Sequence, residues 1–163
     1  MIQKFKKFTK LSTEEKKLFL EAYKMLGIMR AAILIVSFKR LTRSFEHLPS
    51  KEEIIPLNEK ELQTAIMVGQ AISRAAAYTP WESACLVQSL TAQKMLQKRG
   101  IPGVFYLGAA KDEESKEKMK AHAWTRCGDT IITGESGHEA FTVLSVFGWE
   151  THKTPKKEIR SGS

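Results

Sequence analysis

Two short stretches decide the fold: Thr79-Pro80-Trp81-Glu82-Ser83-Ala84-Cys85-Leu86-Val87-Gln88-Ser89-Leu90 and Ala121-His122-Ala123-Trp124. The first places Cys85 near the start of an expected helix, and the second places His122 inside an expected strand. A helix N-terminus stabilises a thiolate through its exposed N–H groups, and the thiolate is the reactive form of cysteine. A nearby imidazole can take the thiol proton and later protonate a leaving amine. The two stretches therefore predict a Cys–His nucleophile pair shared between a helix and a sheet.

The start of the helix that carries Cys85 has two readings. Thr79-Pro80-Trp81-Glu82 fits a capping box with proline at the first helical position, which would put Cys85 at the sixth position of the helix. A start at Ser83 would put Cys85 at the second position, where terminal N–H groups can stabilise a thiolate or an oxyanion. The local pattern favours the first start and the chemistry favours the second.

The rest of the chain divides into helices followed by strands. Ser12 with Glu15 and Asn58 with Glu61 have the spacing of capping boxes, so helices are expected from residue 13 toward Phe38 and from residue 59. Gly100 is the expected end of the helix that carries Cys85. Strands are expected at residues 104–107, 121–127, 130–133 and 141–147. This order predicts an α+β architecture with an antiparallel sheet.

Charge and composition suggest three regions. Residues 1–45 hold eleven lysines and arginines against three acidic residues, whereas the remainder holds fifteen of each. We expect a basic N-terminal helical segment at 1–48, a catalytic core at 49–152 and a tail at 153–163, whose last four residues resemble a cloning remnant. A basic segment of this kind could meet nucleic acid, an anionic membrane surface or an acidic protein, or could simply be a solvated helix face. Two cysteines and the absence of a signal-peptide pattern predict a cytoplasmic protein.

A third catalytic group would orient the imidazole. If Gly128-Asp129 forms a two-residue hairpin turn, Cys127 pairs with Thr130, and an unchanged register then places Glu135 opposite His122. A slip of one residue would present Gly134 or Ser136 instead. Because His122 and Cys127 are five residues apart, they face opposite sides of a regular strand, so we interpret Cys127 as a structural residue.

Several further motifs extend this pattern. They are Pro80-Trp81, Cys85-Leu86, Ser89-Leu90, Arg99-Gly100-Ile101-Pro102, Tyr106-Leu107-Gly108, Ala121-His122-Ala123-Trp124 and Phe141-Thr142. Together they resemble the lasso-peptide biosynthesis B proteins, the transglutaminase-like cysteine proteases that remove the leader from a lasso precursor. The resemblance covers roughly residues 10–150. Within it, the basic stretch from Leu18 to Arg43 resembles the helical segment that precedes the core in that family. It implies a papain/transglutaminase-like core, with the catalytic cysteine on a helix and the histidine on an antiparallel sheet.

The resemblance also implies partners and residue roles. It implies cleavage of the leader–core amide, with Cys85 as nucleophile and His122 as base, on a precursor leader peptide bound by a separate small leader-recognition protein. A lasso cyclase would act next on the released core. The aspartate expected after the histidine strand is absent, so either Glu135 replaces it or the enzyme works as a dyad. Trp81 and Trp124 either line the substrate cleft or belong to the core.

Three alternatives stay open. A thioester can be resolved by an amine as readily as by water, which would make the protein a transglutaminase-like acyltransferase or amidase. A zinc site from Cys85, His122, Cys127 and His138 lacks the short ligand spacings of structural sites, and no cofactor or metal is expected. A non-enzymatic basic domain that binds peptide or nucleic acid lacks a recognisable nucleic-acid motif, so no nucleic acid is expected as a partner. Contact with a membrane surface stays open but is not favoured.

Overall fold

The computed structural model describes residues 10–43, 46–48, 55–111, 118–149 and 151. The helices are α1 (Thr13–Ile35), α2 (Phe38–Leu41), α3 (Glu59–Ala76) and α4 (Cys85–Lys98), with a short 3-10 turn at His138–Ala140. The strands are β1 (Glu46–Leu48), β2 (Val104–Lys111), β3 (Met119–Cys127), β4 (Thr130–Thr133) and β5 (Thr142–Gly148). The predicted α+β architecture with an N-terminal helix is confirmed.

Local sequence signals set the ends of the helices where they were expected. In α1 the Ser12 hydroxyl accepts from the Glu15 N–H at 3.2 Å, and the Glu15 carboxylate accepts from the Ser12 N–H at 2.9 Å. Asn58 and Glu61 form the same reciprocal capping box at the start of α3. At the end of α4, Gly100 has a φ of 67°, a left-handed conformation that favours glycine. These three predictions are confirmed, although α1 ends at Ile35 and does not continue to Phe38.

The five strands form one antiparallel sheet in the order β1-β5-β2-β3-β4. The strand at 130–133 has the predicted bounds, the strands at 104 and 121 are longer than predicted, and the last strand is shifted by one residue. The short strand β1 was not predicted, and it lies inside the segment expected to be helical.

The two faces of the sheet bury different sets of side chains. One face packs against the helices, and Phe105, Cys127 and the nearby Trp149 share a core there with residues of α1, α3 and α4. On the other face, Tyr106, Trp124 and Val146 form a second, smaller cluster. Side chains alternate between the faces along β3, so Cys127 lies on the helix-covered face and Trp124 on the opposite one.

Helix α1 belongs to the main core. Ala22 and Leu26 are fully buried there. The Arg99 guanidinium holds the Glu21 carboxylate with two hydrogen bonds, at 3.1 and 2.6 Å, which ties α1 to the end of α4. The hydrogen bond to Arg99 lowers the pKa of Glu21. Among the described helices, none is long and apolar enough to cross a membrane.

The tail predicted at 153–163 lies outside the described residues.

Candidate active site

Cys85 is the first residue of α4, and no side chain in the described part of the molecule caps this helix. The N-cap residue is Ala84, whose carbonyl accepts the first helical hydrogen bond from the Gln88 N–H at 3.0 Å. Within the described chain, the N–H groups of Cys85, Leu86 and Val87 make no hydrogen bond. No acidic side chain occupies the first turn. The positive end of this helix is therefore left for a ligand or for the half-buried Cys85 thiol.

The loop before Cys85 is held by its own polar groups. The Thr79 hydroxyl lies 3.0 Å from the carbonyl oxygens of Ala76 and Trp81 and 2.8 Å from the Ser83 hydroxyl. The Gln88 amide donates back to the Ser83 carbonyl at 2.8 Å. Thr79 is thus engaged in a turn and does not cap the helix, so the capping box expected at Thr79 is not formed. The helix begins one residue later than the alternative start at Ser83.

His122 is oriented by a main-chain carbonyl. Its Nε2 lies 2.8 Å from the Gly134 oxygen. A carbonyl oxygen only accepts hydrogen bonds, so Nε2 must carry the proton and donate it. In the neutral imidazole, Nδ1 is then the nitrogen with the free electron pair and the one available to act as a base.

The predicted pairing of His122 with Glu135 is wrong in its register. Cys127 pairs with Thr130 and Arg126 with Ile131, as expected from the Gly128-Asp129 turn. The register then shifts at a β-bulge, Thr125 pairs with Thr133, and β4 ends there. Gly134 and Glu135 lie beyond the end of β4, so no ladder pairs His122 with Glu135. The Glu135 side chain is exposed.

Aromatic rings enclose the imidazole. The rings of His122 and Trp124 lie 5.8 Å apart at 26°, and those of His122 and Phe141 lie 5.0 Å apart. Trp124 is only 5% exposed, because Tyr106 stacks on it at 5.2 Å and His138 lies at 5.7 Å. In this position Trp124 supports the imidazole, and its use as a substrate contact remains a prediction.

The start of α4 meets the sheet where β4 stops. The Ser89 and Thr133 hydroxyls lie 3.4 Å apart, one helical turn beyond Cys85 and one residue before Gly134. His122 projects on the Trp124 face of the sheet, whereas the body of α4 packs on the other face. Among the described residues, Cys85 and His122 make no hydrogen bond to each other. The structure brings their two elements together and leaves the pairing of thiol and imidazole as a prediction.

The second cysteine has a different environment. Cys127 is fully buried, and burial raises the pKa of its thiol to about 12. A thiol with this pKa is almost wholly protonated near neutral pH and is a poor nucleophile. These properties agree with the interpretation of Cys127 as a structural strand residue.

Trp81 packs on the N-terminal helix. Its ring lies 5.4 Å from that of Tyr23, and a methyl group added at Gly27 would lie 3.2 Å from the Trp81 ring. Its indole Nε1 is buried and makes no hydrogen bond within the described chain. A role of Trp81 in binding substrate remains a prediction. The described side chains contain no cluster of three or more potential metal ligands.

Sequence reasoning named three residues around His122 without assigning them a role beside the imidazole. Gly134 supplies the carbonyl, Phe141 covers the ring, and Gly108 lies directly opposite His122 on β2. A side chain at Gly108 would come within 2.9 Å of both Phe141 and Trp124. The motifs Tyr106-Leu107-Gly108 and Phe141-Thr142 already contained Gly108 and Phe141, and Gly134 was the residue expected after a slip of one residue. No local pattern indicates that the pairing of β3 with β4 shifts before Gly134.

Residues 29–146 match the family model of the transglutaminase-like superfamily. Neither a search of curated proteins nor one of solved structures gives a match.

Proposed function

Because the chain belongs to the transglutaminase-like superfamily, we propose that it is a cysteine peptidase that works by thiol acyl transfer. The observation that carries the proposal is the uncapped start of α4, with Cys85 as its first residue. A helix that lacks a cap and acidic residues in its first turn forgoes about 1 kcal/mol of stabilisation. The free N–H groups are then available to a thiolate and to the oxyanion of an acyl-transfer reaction.

In the proposed reaction Nδ1 of His122 takes the proton from Cys85. The thiolate attacks the scissile carbonyl, and the N–H of Cys85 helps to hold the oxyanion. The imidazolium then protonates the departing amine, the C–N bond breaks, and a thioester remains on Cys85. Water loses a proton to the same imidazole and attacks the thioester, the C–S bond breaks to release the acid, and the proton returns to the Cys85 sulfur. Sγ and Nδ1 must approach within about 2.6–3.2 Å, and such contacts are often long without substrate and tighten when it binds.

We propose a peptide leader as the substrate. The support is the set of motifs shared with lasso-peptide B proteins, in which Cys85 and His122 take the positions of nucleophile and base. In this role the chain removes the leader of a lasso precursor together with a separate leader-recognition protein, and a lasso cyclase acts on the released core. We propose that the aromatic side chains of Trp81 and Trp124 contact the substrate.

The outer face of the N-terminal helices is the proposed docking surface for the acidic leader or its recognition protein. Ile28, Leu34 and Ile35 are 56%, 69% and 82% exposed, although a surface helix usually directs such residues inward. A contiguous patch of exposed apolar side chains commonly marks an interaction site. Lys39 and Arg40 follow them and are also exposed, and residues 22–45 contain no acidic side chain.

Charge reversal tests this surface. Reversal of Lys39, Arg40 and Arg43 to glutamate should weaken complex formation with an acidic partner and reduce its salt dependence, because electrostatic attraction is lost. Titration at two salt concentrations measures both effects. A matched control reverses three exposed lysines elsewhere: Lys60, Lys94 and Lys118. An equal loss of affinity in the control would show that only total charge matters and would refute the assignment of this surface.

The peptidase itself is tested by mass spectrometry after the protein is mixed with a lasso precursor and its leader-recognition protein. We expect one cut at the leader–core junction that disappears in Cys85→Ala and in His122→Ala and persists in Cys127→Ala. No cut by the wild-type protein, with the partner shown to bind the leader, would contradict the peptidase. Transfer of the acyl group to an added amine would then support transamidation, since the same superfamily chemistry forms the thioester.

A further inference from the structure

The contact between His122 and Gly134 fixes the tautomer of the imidazole. At 2.8 Å it is of ordinary hydrogen-bond length, and the carbonyl can only accept. The bond holds the proton on Nε2 and sets the angle of the ring about its side-chain torsions. In a Cys–His pair this task is usually assigned to a third side chain.

The backbone around residue 134 is built to deliver this carbonyl. The β-bulge leaves Ile132 as the extra residue of β4. Thr133, the last residue of β4, therefore pairs with Thr125, whereas a regular ladder would pair it with Trp124. Gly134 then takes a φ of 75° and lies so close to β3 that an added Cβ would lie 2.9 Å from the Trp124 Cα and would collide with the Ala123 carbonyl. Only glycine allows both the left-handed conformation and this close approach.

The segment after Gly134 closes over the same imidazole. Its Glu135 carbonyl oxygen lies 2.6 Å from His138 Nδ1, and the His138 ring packs near Trp124. Phe141 at the end of the segment covers His122. The main chain of this segment is thus anchored at both ends, while the Glu135 side chain points to solvent.

We propose that the main-chain carbonyl of Gly134 is the positioning group for His122, in the place where a carboxylate was expected. This inference rests on the proposed function of His122 as a base. Gly134 then acts through His122 and does not touch substrate. The enzyme is a Cys–His dyad whose imidazole is oriented by the backbone. Among the described residues, the Glu135 side chain makes no hydrogen bond to His122.

The experiment combines tautomer and activity measurements on three variants. Two-bond ¹H–¹⁵N correlation spectra of ¹⁵N-histidine protein report which ring nitrogen of His122 carries the proton, and the signal is assigned by its loss in His122→Gln. Gly134→Ala displaces the carbonyl, Glu135→Gln removes the carboxylate charge, and Gly137→Ala is the matched control. Gly137 has the same φ of 75° in the same loop, but a Cβ there would meet nothing within 4 Å.

We expect the Nε2–H tautomer in the wild-type protein, in Glu135→Gln and in Gly137→Ala. In Gly134→Ala we expect a mixed or reversed tautomer and a fall in kcat of roughly 10²-fold with KM little changed, since a misplacement of about 1 Å can cost that much. Glu135→Gln should lower kcat far less than Gly134→Ala does.

An Nδ1–H tautomer in the wild-type protein would overturn the proposal, as would a Glu135→Gln variant that changes the tautomer as much as Gly134→Ala. If Gly134→Ala does not fold, the wild-type and Glu135→Gln spectra still decide the question. The spectra need no substrate. A wild-type protein that shows the Nε2–H tautomer but cuts no precursor would refute the peptidase and leave the carbonyl contact established.

Discussion

The uncapped start of α4 makes a prediction in which stability and reactivity change in opposite directions. Ala84 has φ −64° and ψ 169°, an extended conformation in which serine is a good N-cap, and its side chain is exposed. In Ala84→Ser the hydroxyl should accept from the N–H of Leu86 or Val87, which make no hydrogen bond within the described chain. Such a cap contributes about 1 kcal/mol. For a chain of this length, that corresponds to a rise in Tm of roughly 2–4 °C.

The same hydroxyl competes with the Cys85 thiolate for those N–H groups. A hydrogen bond to a charged group is worth about 1.5–3 kcal/mol, and about 1.4 kcal/mol corresponds to a factor of ten in rate. We therefore expect alkylation of Cys85 by iodoacetamide at pH 7 to slow roughly tenfold, and precursor cleavage to slow with it. Intact-mass kinetics measure the alkylation, and a thermal melt measures the stability.

A matched control changes a cap far from the thiol. Asn58→Ala removes the capping box of α3, so it should lower the Tm by a similar amount and leave the alkylation rate of Cys85 unchanged. If Ala84→Ser raises the Tm without slowing alkylation or cleavage, the free N–H groups do not serve the thiolate. If it does not raise the Tm at all, the helix does not begin at Cys85.

Three other predictions concern the framework of the site. Iodoacetamide should modify Cys85 and spare the buried Cys127 in the native protein, as peptide mapping would show; equal labelling of both would contradict the buried position of Cys127. Glu21→Gln should lower the free energy of unfolding by up to about 1 kcal/mol at pH 7. Because the bond to Arg99 lowers the pKa of Glu21, its contribution is present above the usual carboxyl pKa and lost as the pH falls through the lowered value, so urea titrations at pH 7 and pH 3 should differ. Gly69→Ala should lower the free energy of unfolding by more than about 1 kcal/mol, because the added methyl would collide with the Ile132 backbone where α3 crosses β4. Thermal or urea unfolding measures the effect, and an unchanged midpoint would show that the two elements can separate at no cost.

The order of helices and strands could be read from local signals because each acts over three or four residues. The capping boxes at Ser12 and Asn58 satisfy helix N–H groups with side chains that are neighbours in sequence, so their effect does not depend on the rest of the fold. Gly100 ends α4 for the same kind of reason. The Gly128-Asp129 turn likewise pairs Cys127 with Thr130.

The start of α4 was left undecided between two positions because its local signal competed with a tertiary one. Thr79 has the spacing of a cap, but its hydroxyl bonds within the turn that follows α3. The beginning of α4 instead packs beside the end of β4, through Ser89 and Thr133. No pattern in residues 79–90 contains that contact.

The sequence by itself determined the α+β order of elements, the helix that carries Cys85 and the strand that carries His122. It also determined the superfamily to which the chain belongs. These follow from hydrophobic periodicity, caps and turns, which are properties of neighbouring residues. Only the tertiary structure decided what stands beside the imidazole. The register at His122 depends on one extra residue in β4 and on the close approach of the Gly134 backbone to β3. Such contacts between distant segments leave no local pattern, and they replaced the expected carboxylate of Glu135 with a carbonyl.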